Sequence, residues 1–359
     1  MVIAIAIFLV VGHYAIGFVQ FIMMSTIGDP REDSPVYQGY PDRIDYWKEQ
    51  LYVENAKARF EPYIHWRQAE FTGKYINIDR NGIRKTIRKT NTKGKKKIFM
   101  FGGSSLWGEG SPDDSTIPSA LQSMLEGKYD IYNYGESGFV SAQEMNYLLY
   151  QLSMGNIPDV VIFYDGVNDA YAGVYSPAIP RDPQNLRMEY LNKSANVIVQ
   201  LIYESNYYKL AHYISRKMHG NKDGSKEWDK KISPKIKMNA KAVIKMYEAH
   251  IKQVQALANE YKFKAFFFWQ PNLFCLNREK LPYEKDIINK ASPVFVESQY
   301  QVYLEAKESL SKREDENVYF MGDLFNNIAG PIYIDYCHVG PRGNRLIAER
   351  IIADIGEKL

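Results

Sequence analysis

Cysteine is scarce in this chain: 359 residues contain two, Cys275 and Cys337, far apart in sequence. That excludes a disulfide framework. The histidines are His13, His65, His212, His219, His250 and His338. None has a histidine or cysteine partner at metal-ligand spacing, so neither a metal site nor a cofactor is expected. Net charge is also small, +3, and no nucleic-acid-binding motif is present, so no nucleic-acid partner is expected. A phosphate-binding loop is missing. "GSSLWGEG" has glycines near its ends but lacks the Lys-Ser/Thr that would meet a phosphate. The nucleophile-elbow pattern Gly-x-Ser-x-Gly is absent there too. No internal repeat is seen.

Charge is missing altogether from "VIAIAIFLVVGHYAIGFVQFIMM" near the amino terminus. The run is long enough for a helix to cross a bilayer. A cleaved signal peptide would need a basic leading region and a small-x-small cleavage pattern, and neither is there. A helix apolar on all sides suits a membrane anchor better than a core helix. Residues 1–25 are therefore expected to be a single-pass transmembrane anchor. No lysine or arginine precedes the run and "GDPRED" follows it, which leans toward an extracytoplasmic catalytic part.

Residues 26–95 form a polar and aromatic juxtamembrane accessory segment. Within it "YINIDRNGIRKT" reads as a short hairpin around Asn81-Gly82. The segment ends in the basic run "RKTIRKTNTKGKKK". That run fits a solvated hairpin edge, or a patch facing anionic lipid heads or an acidic polymer.

From residue 96 the pattern alternates between strand and helix. Apolar runs of strand length lie at Ile98–Phe101, Tyr129–Tyr134, Val160–Tyr164, Phe263–Trp269 and Val318–Met321. Helical spacing marks "AHIKQVQALANEYKF", "QYQVYLEAKESL" and "GNRLIAERIIADIGEKL". The last of these places Leu346, Ile347, Ile351 and Ile352 on one face. The expected fold class is α/β: a three-layer α/β/α domain over 96–359 with a roughly five-stranded parallel sheet. The connection from Tyr164 to Phe263 is far longer than a crossover needs. It implies a helical insertion at about 171–240, serving as a lid or substrate wall or merely packing on the sheet.

Ligands of open parallel sheets bind beyond the carboxyl ends of the strands. The segments there are "GGSS", "NYGESGFVSAQ", "YDGVNDAY" and "YIDYCHVGPRGN". They supply a serine, a glycine turn, an asparagine and an Asp-x-x-His pair. Hydrolysis by a nucleophilic serine needs a base, a carboxylate to orient it, and donors for an oxyanion. Asp335 and His338, three apart, share a side if they lie in a helical turn. Trp107 could line an acyl pocket or pack. Cys337, Asp165 and Asp169 are expected to be structural.

In this order the four segments resemble the SGNH, or GDSL-like, hydrolase family, across about residues 97–357. The first block of that family reads Gly-Asp-Ser with a later glycine. "GGS" with Gly108 matches it, so the resemblance puts the nucleophile on Ser104 and leaves Ser105 silent. Gly103 stands where the family usually has aspartate. "NYGESG" puts an oxyanion glycine on Gly138, with Gly135 as rival, and "GVND" puts the oxyanion side chain on Asn168. Asp335 and His338 match the last block. The resemblance implies a flavodoxin-like SGNH fold and a catalytic triad of Ser104, Asp335 and His338. Ser104, Gly138 and Asn168 would form the oxyanion hole. The function expected is a membrane-anchored esterase or O-acyltransferase, an O-deacetylase or O-acetyltransferase on a cell-envelope carbohydrate. A lipid-directed esterase or thioesterase, and a non-catalytic glycan-binding assembly component, are the alternatives. Expected partners are an acylated carbohydrate or lipid ester, the membrane, and a membrane partner protein.

Overall fold

The computed structural model describes residues 10–19, 28–56, 58–87, 96–125, 127–175, 205–208, 210–211, 214, 232–313 and 317–359. Before the main sheet, β1 (Arg59–Glu61) pairs antiparallel with β2 (His65–Arg67), and β3 (Phe71–Thr72) with β4 (Asn77–Ile78). The main sheet contains β5 (Lys96–Gly102), β6 (Tyr129–Asn133), β7 (Val160–Asp165), β8 (Lys264–Trp269) and β9 (Val318–Phe320). Its order is β6-β5-β7-β8-β9, with every pair parallel. All five predicted strands are present, within a residue or two of their expected ends.

Parallel strands covered on both faces read as continuous apolar runs, and alternate residues go to opposite layers. Phe99, Phe101, Val161, Phe163, Phe267 and Trp269 enter one core, under helices Ser141–Ser153, Ile236–Tyr261 and Pro293–Leu310. Ile98, Met100, Ile162, Phe266 and Phe268 enter the other, under helices Ile117–Met124 and Pro341–Ile355. On the last helix Ile347 and Ile351 are buried, with Leu346 and Ile352 packed at the margin. Phe101, Phe163 and Phe267 stack across three adjacent strands at centroid distances of 5.3 and 5.4 Å. Replacing the central Phe163 by Ala would cost about 3–5 kcal/mol.

The chain leaves β5 toward one edge and returns to β7 on the other side, so the strand order reverses between them. Two successive connections diverge at that point and leave a crevice. The turns after β5 and β7 carry Ser104 and Asn168.

Residues 28–87 are built onto the sheet. Arg84 bridges Ile78 on one side and Asn133, the last residue of β6, on the other. Tyr37, Trp47, Tyr75 and Ile76 share a core with Trp107 and Ile334, from the two turns that carry Ser104 and His338. The turn at Asn81-Gly82 closes with Gly82 at φ 77° and its N–H donated to Asp79 O at 2.8 Å.

Two expectations meet the structure differently. Of the apolar amino-terminal run, residues 10–19 are helical and the rest lies outside the described residues. Among the described residues no helix is long and apolar enough to cross a membrane. Of the insertion, helix Val167–Tyr175 opens it, and most of residues 176–231 lie outside the described residues.

Candidate active site

The glycines after β5 set the approach of the serine. A Cβ on Gly102 would stand 2.7 Å from Tyr164 O and 2.8 Å from Leu106 Cβ. The strand therefore exits tightly against its neighbour, and Ser104 begins the short helix Ser104–Trp107. That helix stops at Gly108, left-handed at φ 107°, where a Cβ would meet Thr116 Cγ2 at 2.4 Å.

Ser104 Oγ lies 2.7 Å from His338 Nε2. Nδ1 of the same ring lies 2.7 Å from Asp335 Oδ2. A neutral imidazole protonated on Nδ1 thus donates to the carboxylate and accepts from the serine hydroxyl. Ser104 and His338 are each 9% exposed. Ser105 faces elsewhere, with its Oγ accepting from Gln270 Nε2 at 3.4 Å.

Asp335 and His338 do not share a helical turn. They sit in a loop closed by a bridge between Tyr333 and Val339. Asp335 Oδ1 accepts the N–H groups of Cys337 and His338 at 2.9 and 2.8 Å. This side-chain turn, not helical periodicity, brings the carboxylate to the ring, since aspartate can close a turn through its own backbone neighbours. Burial opposes ionisation of Asp335, but His338 and those two N–H groups outweigh it and hold the carboxyl well below the usual range. Burial likewise disfavours the charged form of His338. The carboxylates of Asp335 and Glu109 and the neighbouring Cys337 overcome this and raise its pKa well above the ordinary value. Asp335, Cys337 and His338 lie within 4.8 Å of one another, as metal ligands could. Both ring nitrogens are already engaged, however, and burial pushes the Cys337 thiol up to about 11.

The rival glycines separate by their backbones. Gly135 N–H is committed to Asn133 Oδ1 at 3.0 Å. Gly138 ends the loop in the left-handed region, at φ 79°. Asn168 Nδ2 donates to Phe139 O at 2.8 Å, which ties the asparagine to the residue after Gly138. A Cβ on Gly103 would stand 2.3 Å from the same Nδ2. A side chain at 103 would therefore press on the Asn168 amide. Asp169, next along, accepts from Ser141 N–H at 3.2 Å and from Ser141 Oγ at 2.5 Å. It fixes the start of a helix and does not face the triad pair. Asp165 is buried and accepts from Tyr247 Oη at 3.0 Å. Trp107 is buried beneath the Arg84 guanidinium, 4.3 Å from its centroid, and so packs.

Sequence patterns missed what surrounds these groups. Arg84, which looked like part of a solvated basic edge, is fully buried. It donates to Asp113 Oδ1 and to the carbonyls of Gly108 and Ser111, bracing the serine's turn. Residues 88–95 of that basic run lie outside the described residues. Arg67, also buried, pairs with Glu136 at 3.5 Å and donates to Gly135 O and Gly82 O. Trp66 Nε1 donates to Ser137 O at 3.0 Å. The loop bearing Gly138 is therefore held from the preceding segment. Arg31 donates to Glu109 Oε1 at 2.5 Å and to Asp29, and stacks over Trp47. Glu109 Oε2 lies 3.6 Å from His338 Nε2. No periodicity marks these arginines, because most of their partners are carbonyls and acids distant in sequence.

The chain matches no family model and no curated protein. Solved structures do match. One is Est24, a carbohydrate acetylesterase from Sinorhizobium meliloti, at 14% identity and TM-score 0.39, over 74% of this chain and 100% of that one. Another is a member of the lipolytic G-D-S-L family from Veillonella parvula, at 14% and 0.37 over the same shares. A third is an acetyl xylan esterase, at 14% and 0.33, over 72% of this chain and 99% of that one. Likeness at these scores carries nothing about chemistry, which has to be derived from the site itself.

Proposed function

We propose that this chain is a serine esterase or O-acyltransferase of the SGNH type. The observation that carries the proposal is the unbroken relay from Ser104 through His338 to Asp335, with both links at 2.7 Å. In this mechanism His338 takes the Ser104 proton as Oγ attacks an ester carbonyl, and Asp335 steadies the imidazolium that forms. The Ser104 and Gly138 N–H groups and the Asn168 amide meet the oxyanion. The imidazolium then protonates the departing alcohol. Water or an acceptor hydroxyl, deprotonated by the same ring, releases the acyl group.

The substrate we propose is a short-chain ester on a cell-envelope carbohydrate. Three carboxylates, Asp29, Glu54 and Glu109, gather on Arg31 beside His338. Such an acid-rich rim suits a neutral polyol better than an acyl chain seeking an apolar groove. We also propose that the amino-terminal run anchors the protein and that the catalytic part is extracytoplasmic. In support, the helical residues 10–19 expose Val10, Val11, Tyr14, Phe18 and Val19, apolar surface of the sort lipid or another membrane helix would cover. A p-nitrophenyl ester series tests the substrate class: turnover should be best with acetate and fall with chain length. Preference for long chains would instead make the protein a lipid-directed esterase. Protease protection of a tagged carboxyl terminus in spheroplasts tests the orientation: digestion is expected, and full protection would overturn it.

A further inference from the structure

We infer that Glu109 is a positioning residue for the step that resolves the acyl-enzyme, holding the incoming water or polyol hydroxyl against His338. This rests on the Ser104 mechanism proposed above. His338 Nε2 has two oxygens near it: Ser104 Oγ at 2.7 Å and Glu109 Oε2 at 3.6 Å. After acylation Ser104 Oγ is an ester oxygen and no longer donates. The nucleophile that enters must donate one hydrogen to Nε2 while its lone pair faces the acyl carbon. A water so placed has a second hydrogen, and the adjacent Glu109 carboxylate can accept it. A polyol has a neighbouring hydroxyl that can do the same. A simple monohydric alcohol has neither, so it leaves the carboxylate without that contact.

Glu109 is pinned where this requires it. Its other oxygen takes a hydrogen bond from Arg31 Nη1 at 2.5 Å. Arg31 in turn is fixed by both oxygens of Asp29, by Glu54 at 3.1 Å, and by the face of Trp47 at 4.4 Å. Glu109 is mostly buried, with 11% of its side chain exposed. The carboxylate is therefore preorganised and does not need to be drawn from solvent during reaction. The bond changes are those of ordinary acyl transfer. The nucleophile's oxygen joins the acyl carbon, the bond from that carbon to Ser104 Oγ breaks, and the proton passes through Nε2 to Oγ. Glu109 ends the cycle as the carboxylate it began as.

The test is pre-steady-state hydrolysis of p-nitrophenyl acetate by the full chain in detergent. Measured above the acidic limb of both proteins, where the effect of Glu109 on the His338 pKa no longer enters, Glu109→Gln should keep the first-turnover release of nitrophenol near the wild-type rate. Its later turnover should slow by roughly 10- to 100-fold, the effect of losing a hydrogen bond to a charged group, and an acetyl adduct on Ser104 should accumulate. Glu109→Asp should recover part of the lost turnover. If Glu109→Gln acylates and deacylates as the wild type does, the inference is overturned while the Ser104 mechanism stands. If wild-type protein shows no serine acylation at all, the underlying mechanism has failed instead. Should Glu109→Gln not fold, Glu109→Asp decides: a lowered ratio of deacylation to acylation supports the role, and an unchanged ratio refutes it.

Discussion

Gly103→Ala adds a single methyl group, and its consequence can be worked from one contact. The new Cβ would stand 2.3 Å from Asn168 Nδ2. Non-bonded heavy atoms settle at about 3.5 Å, so the amide must retreat by more than an ångström. Its hydrogen bond to Phe139 O, now 2.8 Å, cannot survive that shift. Because the obstructing atom is the end of a side chain, the fold can yield locally and little stability should be lost. Catalysis should suffer more. Losing one oxyanion donor raises the barrier by on the order of 3 kcal/mol, or roughly 100-fold in kcat. Steady-state kinetics with p-nitrophenyl acetate should show that fall with KM nearly unchanged, and the melting temperature should hold. Asn168→Ala should fall by a similar factor. The double variant should be no worse than either single one, since both remove the same donor. Full activity in Gly103→Ala would refute the placement of Asn168 in the oxyanion hole. Additive losses in the double variant would show that Gly103 acts by some other route.

Other outcomes follow from the same contacts. Arg84→Met leaves Asp113 buried without its cation, so urea unfolding should show about 3–5 kcal/mol lost; a change under 1 kcal/mol would deny Arg84 its bracing role. The raised pKa of His338 means that the neutral base appears only above the ordinary histidine range. The acidic limb of kcat/KM should therefore lie above pH 6.5 or so; a profile flat from acid to neutral would remove His338 as the base. The same raised pKa makes the imidazolium's contribution to stability complete below the unfolded-state value, and that contribution is lost as pH climbs through the folded one. Burial lifts the Asp169 carboxyl to about 7, so ionising it in the fold costs stability progressively as pH rises from about 4 to 7. Chemical denaturation should show Asp169→Asn losing less stability at pH 8 than at pH 5; an equal loss at both would contradict this.

The central strands β5, β7 and β8 were legible because they are buried on both faces. "VVIFYD" and "KAFFFW" announce themselves as runs that no amphipathic surface strand would show. The turns bearing Ser104 and Asn168 could be located for the same reason, since each directly follows such a run. Gly138 and Gly135, by contrast, are alike in sequence. The commitment of one N–H to Asn133 and the left-handed backbone of the other distinguish them. The spacing of Asp335 and His338 was visible but its cause was not, because an aspartate closing a turn on its own neighbours leaves no period. The buried Arg67 and Arg84 and the half-buried Arg31 were least legible. Arg84 lies in a run of lysines and arginines and differs from them only by reaching Asp113 and the carbonyls behind the serine turn. Composition cannot tell a cation that braces a loop from one that faces water.

Intact-protein and peptide mass spectrometry after fluorophosphonate treatment addresses the Ser104 nucleophile most directly. One adduct is expected, on the peptide bearing Ser104, lost in Ser104→Ala and retained in Ser105→Ala. An adduct on Ser105, or none on folded wild-type protein, would contradict the account.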